Sequence, residues 1–244
     1  MGYPSSMEDH RTERYDESDF TGTRFHGAIL NEVVITDSWV EDVAISGVVR
    51  SLTVNGVEVA AYVEAELDRR HPVRPLLRSD DIDGLRAGWS AVERTAAETL
   101  ARARSLPPEV LDASVDGEWS YLETIRHLVM ATDRWISGPV LGEAEPFHRL
   151  GRPNDPLDEV PDGVFDLDAR PSLDEVVAVR RGRQDRVAAL LEELADDPAG
   201  LDREVPSPNG GATTVRYCIQ VVLREEWWHD QYATRDLAVL EAAG

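Results

Sequence analysis

The chain has 244 residues, of which 42% are hydrophobic, and its formal net charge at pH 7 is −22. This length and apolar content suffice for one or two domains with a buried core, whereas the acidic balance argues against electrostatic binding to nucleic acid or to an anionic membrane. The polar start of the chain resembles no signal peptide, and no apolar run reaches the length of a membrane span. The single cysteine, Cys218, cannot form an intramolecular disulfide. We therefore expect a cytoplasmic protein.

A five-residue period of large apolar residues follows a leader that is poor in them. Residues 1–17 are mostly polar and predict a disordered leader. Within residues 18–58 the apolar period fits neither a helix nor a strand, and its members are Phe20, Phe25, Leu30, Ile35, Val40 and Ile45. The pattern resembles pentapeptide repeats, which implies a short β-helix-like segment with these side chains turned inwards, acting as a docking or capping module. Edge strands with a turn at Asn55-Gly56 are the alternative.

Four long amphipathic segments dominate the rest of the chain. Residues 59–77 predict a connecting helix and a linker, and residues 78–244 predict a bundle with helices at 82–105, 120–136, 172–194 and 214–241. Ser and Glu three residues apart open the second and third of these helices with the spacing of a capping box. Four such helices indicate a mainly α fold, a four-helix bundle whose sites are built from inward residues on facing helices.

The long connection between the second and third bundle helices has no clear period. It covers about residues 142–171 and is rich in Gly, Pro and Asp. A connection of this length is uncommon in a compact domain and is often a lid or binding loop. An inert acidic excursion is the alternative interpretation.

The last predicted helix places charged residues within an apolar stripe. The stripe consists of Val215, Ile219, Val222, Ala233, Leu237 and Leu240, and both Glu226 and His229 fall inside it. Glu225 lies at the edge of the stripe, one turn before His229, so the two side chains can lean towards a common point. Burying an unpaired carboxylate is costly, so these residues need a partner, and a metal ion is one such partner. His127 lies beside the stripe of the second helix, where a hydrogen-bonded packing role is the alternative.

Short motifs occur in a definite order on these helices. Gly117-Glu118-Trp119-Ser120 leads to His127, Arg216-Tyr217-Cys218 leads to Glu225-Glu226-Trp227-Trp228-His229, and Tyr232-Ala233-Thr234-Arg235-Asp236-Leu237 follows. Over residues 78–242 this order resembles the DinB superfamily, in the branch that includes mycothiol-dependent maleylpyruvate isomerase. The resemblance implies a bundle that binds a divalent metal through one residue on its second helix and two on its fourth. The matching positions are His127, Glu225 and His229, although family members usually have His where this chain has Glu225.

The donor set leaves the metal open. Two imidazoles and a carboxylate bind zinc or iron and leave one coordination position for a water or a thiol. The resemblance implies zinc or nickel, so zinc is the metal we expect, with nickel or iron as alternatives. Glu226 competes with Glu225, because Glu226 and His229 have the Glu-x-x-His spacing of di-iron bundles, but a second such motif is missing. We interpret Asp133 or Asp230 as a carboxylate that orients an imidazole, and Trp228 and Tyr232 as pocket residues. Core or surface positions are the alternative for each.

The resemblance implies an enzyme that activates a low-molecular-weight, mycothiol-like thiol and adds it to a small electrophilic substrate. A transferase or an isomerase would both fit. A non-catalytic interaction or stress-response module with the same fold is the first alternative, and a metal-dependent hydrolase is the second. Dimerisation through helix faces is also expected from the resemblance.

Overall fold

The computed structural model describes residues 10, 12–25, 27–154 and 163–243. The chain divides into two compact units, one ending at Val63 and the other covering the residues from Glu64 onward. Most of the predicted leader, and residues 155–162 of the long connection, lie outside the described residues.

The first unit contains a β-hairpin and the start of a helix. Strands β1 (Thr53–Val54) and β2 (Val57–Glu58) pair antiparallel, with Val54 opposite Val57. Asn55 and Gly56 between them both have positive φ, at 50° and 80°, as a two-residue turn of this kind requires. The turn predicted at this dipeptide is therefore confirmed. Helix α1 (Ala60–Arg70) follows directly.

Upstream of the hairpin, the five-residue period is visible in the backbone but not in burial. Positive φ recurs every five residues, at Glu17, Gly22, Gly27, Glu32, Asp37, Asp42 and Gly47. The large apolar residues of the period are between 48% and 69% exposed. The prediction that they turn inwards is wrong, because so short a segment encloses no interior that could bury them. The structure does not show a closed pentapeptide-repeat coil.

The second unit is built on four long helices: α2 (Ile82–Ala103), α4 (Tyr121–Thr132), α5 (Leu173–Asp196) and α6 (Val215–Ala243). A short helix α3 (Pro108–Leu111) lies between α2 and α4. Both predicted capping boxes are present, Ser120 with Glu123 on α4 and Ser172 with Glu175 on α5. The mainly helical fold is confirmed, since the apolar period and the local caps together determined where these helices begin.

The four long helices pack in a closed arrangement around the core. Helix α6 contacts α2 and α4, and α5 contacts the same two helices from the other side. Four residues of the apolar stripe of α6 are at most 1% exposed: Val215, Ile219, Val222 and Leu237. Helices α4 and α6, which carry the predicted metal ligands, are therefore direct neighbours.

Helix α4 continues into a π-helical turn, Asp133–Ser137, and then into the long connection. Strands β3 (Glu204–Pro206) and β4 (Ala212–Thr214) form a second antiparallel hairpin just before α6. Among the helices of the described ranges, none is both long and apolar enough to cross a membrane.

Candidate metal centre

Three predicted ligands meet between α4 and α6. One donor atom from each of His127, Glu225 and His229 can be chosen so that all three lie within 4.8 Å of one another. The His127 side chain is 3% exposed and that of His229 is 16% exposed, whereas the carboxylate-bearing side chain of Glu225 is 33% exposed. The cluster is thus closed on the side of the bundle core and open on the side of Glu225.

Hydrogen bonds to backbone carbonyls fix the orientation of both imidazoles. Nδ1 of His127 lies 3.1 Å from the carbonyl oxygen of Arg152, and Nδ1 of His229 lies 2.9 Å from that of Glu225. A carbonyl oxygen only accepts, so in each contact the hydrogen is on Nδ1. In the neutral rings Nε2 then carries a free lone pair, which is the state in which an imidazole binds a metal.

The lone pair of His127 faces another acceptor. Its Nε2 lies 3.4 Å from Oε2 of Glu225, and two acceptors at this distance repel unless a proton or a cation lies between them. Two ligands bound at 2.0–2.1 Å to one tetrahedral zinc ion are separated by about 3.3 Å. The donor set and this separation therefore fit a single divalent metal ion.

The charge states also suit metal binding. Burial, together with the neighbouring His127, lowers the pKa of His229 from 6.5 to about 4, so this ring is neutral at pH 7. Burial alone would raise the pKa of Glu225, but the proximity of the His127 and His229 side chains outweighs it and leaves the pKa below its usual value. The cluster thus combines a neutral imidazole at His229 with an ionised carboxylate.

Glu226, the competing carboxylate, has a different partner. It is 3% exposed and forms a buried ion pair with Arg180 of α5, which is 8% exposed. The structure therefore separates the two adjacent glutamates, Glu225 facing the histidines and Glu226 facing α5. The sequence gives no local signal for this pair, because the two residues are 46 positions apart.

The two aspartates predicted to orient the imidazoles make other contacts. Asp133 is fully buried and accepts hydrogen bonds from Arg183 at 2.9 and 3.0 Å and from the backbone N–H of His148 at 3.0 Å. Burial raises the pKa of Asp230, and the nearby hydroxyls of Thr99 and Thr95 oppose the rise. The orienting role predicted for them is filled by the backbone carbonyls, because those are the groups that reach each Nδ1 atom.

Aromatic rings surround the cluster. The ring of Trp119 lies 4.8 Å from that of His127, and the His127 and His229 rings stack at 4.7 Å. The Tyr232 ring lies 6.0 Å from His229 and stacks on Trp228, also at 6.0 Å. Tyr232 is therefore next to the cluster, whereas Trp228 packs against Tyr232. In the sequence, Trp119 stands out only as part of a motif.

A small cavity extends from His229 into the bundle. Its polar lining comes from α2, α4, α5 and α6 and consists of Thr99, Tyr121, Thr124, Arg180, His229 and Asp230. The nitrogen Nε of Arg180 is buried there and has no hydrogen-bond partner among the residues that the structure describes. The cavity is polar on the Arg180 side and apolar elsewhere, where Ala96, Ile125, Leu128 and Ala233 line it.

Fold and site together define a helical-bundle protein with a candidate mononuclear metal centre. A family model described as the DinB superfamily matches residues 91–233, a range that includes all three candidate ligands. The chain belongs to the DinB superfamily, whose members bind metals in general. Comparison with curated proteins and with solved structures gives no match.

Proposed function

We propose that this protein is a divalent-metal-dependent enzyme whose metal is held by His127, Glu225 and His229. The observation that carries the proposal is the pair of facing acceptors, Nε2 of His127 and Oε2 of Glu225, at 3.4 Å. Both imidazoles are held by backbone carbonyls, so their Nε2 atoms are not needed for packing. Among the possible metals we propose zinc, because two nitrogens and one carboxylate oxygen are a common zinc donor set.

A bound divalent metal would supply a Lewis acid that lowers the pKa of a water or thiol ligand, making a nucleophile available at neutral pH. The donor set carries a single negative charge, since only Glu225 is anionic when both imidazoles are neutral. It therefore leaves a divalent cation with net positive charge, which favours an anionic fourth ligand. The rings of Trp119 and Tyr232 shield the imidazoles, and the partly exposed Glu225 leaves the approach open.

We further propose that the nucleophile is the thiol of a small molecule of the mycothiol type, added to a small electrophilic substrate. This step rests on the sequence resemblance to the mycothiol-dependent branch. Cys218 supports it indirectly, because it is the only cysteine of the chain and burial raises the pKa of its thiol to about 11. A thiolate that reacts near neutral pH would then come from a small molecule and not from Cys218.

Replacement of the metal by Co²⁺ tests the proposal, because the visible absorption of Co²⁺ reports its ligands. We expect mycothiol to change the spectrum of the cobalt-loaded protein, and we expect a maleylpyruvate-type electrophile to be consumed only when thiol is present. The matched control is Glu226→Gln, which changes the neighbouring carboxylate; it lowers stability by removing the charge partner of Arg180, but the folded protein should retain both responses. Ester hydrolysis without thiol would instead favour a hydrolase. Absence of metal binding would favour a non-catalytic interaction module.

A further inference from the structure

The imidazole of His127 is held by a group that lies far away in sequence. The carbonyl oxygen of Arg152, in the long connection after α4, accepts a hydrogen bond from Nδ1 of His127. A backbone carbonyl in an irregular segment has no helix or sheet to hold it, so its position depends on whatever fixes the loop. Arg126, the residue next to His127, holds the loop in place.

Arg126 fixes the loop with its whole guanidinium group. It is 3% exposed, and its Nε, Nη1 and Nη2 atoms donate to the carbonyl oxygens of Leu150, Ala169 and Asp166 at 2.9, 3.1 and 2.7 Å. The backbone carbonyl of Arg126 also accepts from the N–H of Arg152 at 3.1 Å. One residue thereby joins both described ends of the connection to α4.

The buried guanidinium of Arg126 serves to fix the backbone of the loop. Arg126 is 3% exposed, and burying a charged guanidinium is costly unless hydrogen bonds satisfy its donors. All three of its acceptors are main-chain carbonyls, so its hydrogen bonds constrain the path of the backbone. The planar guanidinium of an arginine, whose donors point in fixed directions, can hold three carbonyl oxygens better than the flexible ammonium group of a lysine.

Close packing at Gly151 supports the same conclusion. A Cβ atom at this position would lie 2.8 Å from the ring of Phe165, 3.1 Å from the carbonyl oxygen of His148 and 3.2 Å from Cβ of Met130. A side chain at position 151 would force the Phe165 ring to shift and would crowd Met130 of α4, so glycine fits best beside Arg152. The hydrogen bonds of Arg126 and the close packing at Gly151 together fix the position of the Arg152 carbonyl.

We propose that Arg126 is a positioning residue of the metal centre, which fixes the Arg152 carbonyl and through it presents Nε2 of His127 to the cluster. The inference rests on the proposed metal site for its functional meaning. It predicts that His127 is in the Nδ1–H form even without metal, and that this form depends on Arg126. Loss of such an outer-shell group typically lowers metal affinity by about 10- to 100-fold.

The test compares Arg126→Met, Arg126→Lys and Gly151→Ala with the wild type in the full-length protein. Nitrogen-15 NMR of the histidine side chains in the metal-free protein reports the His127 tautomer, and competition with a chelator reports Zn²⁺ affinity. We expect Arg126→Met and Gly151→Ala to lose the pure Nδ1–H form and to bind Zn²⁺ about 10- to 100-fold more weakly. Arg126→Lys should give intermediate values, because one ammonium group cannot satisfy all three carbonyls.

Arg186→Met is the matched control. Arg186 also binds the start of the connection, through the Ser137 hydroxyl at 2.9 Å and Glu143 at 3.0 Å, and neither acceptor belongs to the segment around Arg152. It should keep the wild-type tautomer and affinity. A wild-type tautomer in both Arg126→Met and Gly151→Ala would overturn the inference, and so would an equal loss in Arg186→Met. A wild type that binds no Zn²⁺ but shows the expected tautomer changes would refute the proposed function and leave the positioning role intact.

Discussion

His229 is the candidate ligand whose protonation most clearly depends on folding. Its pKa is about 4 in the folded protein against an ordinary 6.5, because the ring is buried and lies next to His127. Between these two values the unfolded chain binds more protons than the folded chain does. The free energy of unfolding of the metal-free protein should therefore fall as the pH drops from 6.5 to 4, by up to about 3 kcal/mol from this group.

Urea unfolding across this pH range, in the presence of a chelator, measures the effect. The variant His229→Gln cannot titrate there, so its stability should depend less steeply on pH than that of the wild type. Equal slopes for the two proteins would show that the imidazole of His229 is not held in its neutral form by folding.

The pair Arg180 and Glu226 makes a second prediction at the scale of single residues. Each is buried, at 8% and 3% exposure, so removing one partner leaves an uncompensated charge. We expect Arg180→Met to lower the free energy of unfolding by about 3–5 kcal/mol, and the double variant Arg180→Met/Glu226→Leu to recover much of the loss. Chemical denaturation of the single and double variants checks this. A double variant no more stable than Arg180→Met would contradict the pairing.

The ligands themselves could be predicted from the sequence, whereas the groups that hold them could not. His229 and Glu225 are one helical turn apart, a local relation that a helical wheel displays. The carbonyl of Arg152 is 25 residues away from His127 in a segment without a period, and backbone carbonyls carry no residue signature. Assignment of the orienting role to Asp133 and Asp230 failed for this reason.

At the scale of elements, the N-terminus of α4 determines how the ligand-bearing helix begins. Ser120 Oγ accepts from the N–H of Glu123, and Glu123 accepts from the N–H of Ser120 at 3.0 Å. Ser120→Ala should lower the stability by about 1 kcal/mol. Metal content should not change, because His127 lies almost two turns further along and α6 packs against it there.

Thermal unfolding followed by circular dichroism, together with metal analysis, tests this expectation. Ser172→Ala is a matched control, since it removes the same capping box from α5, which carries no ligand. We expect a similar shift in melting temperature for both, about 2–4 °C. Loss of metal from Ser120→Ala alone would mean that the cap also positions the site.

The elements that were predicted well are those whose signals are local. Helix periods and capping boxes lie within a few residues of each other, so the starts of α4 and α5 could be read from the sequence. In residues 18–58 the five-residue period of apolar residues is equally clear. The backbone shows the same period, since positive φ values recur every five residues. The inward direction of Phe25 and Ile35 could not follow from it, because burial needs a neighbour to pack against.

For the whole molecule, stability and metal binding should reside in the second unit. Every residue of the two core clusters lies between Val73 and Leu237, and the three candidate ligands lie in the same unit. A shortened chain that begins at Ala60 should therefore keep its helical spectrum and its metal stoichiometry. It should also be less prone to associate, because it lacks the exposed apolar residues of the period.

Circular dichroism, metal analysis and light scattering of the shortened and full-length chains, side by side, check this prediction. A shortened chain that is unfolded or metal-free would show that the first unit contributes to the site. If the shortened chain associates as much as the full-length chain, two copies must contact each other through the bundle, where the sequence resemblance predicts dimerisation.

Elemental analysis of the purified protein tests the central claim most directly. The wild type should be compared with His127→Ala, Glu225→Ala and His229→Ala after reconstitution with zinc, and with Glu226→Gln as the matched control for the neighbouring carboxylate. We predict one metal ion per chain in the wild type and in Glu226→Gln, and loss of that metal in each of the three ligand variants. A metal-free wild type, or a Glu225→Ala protein that keeps its metal while Glu226→Gln loses it, would contradict the site described here.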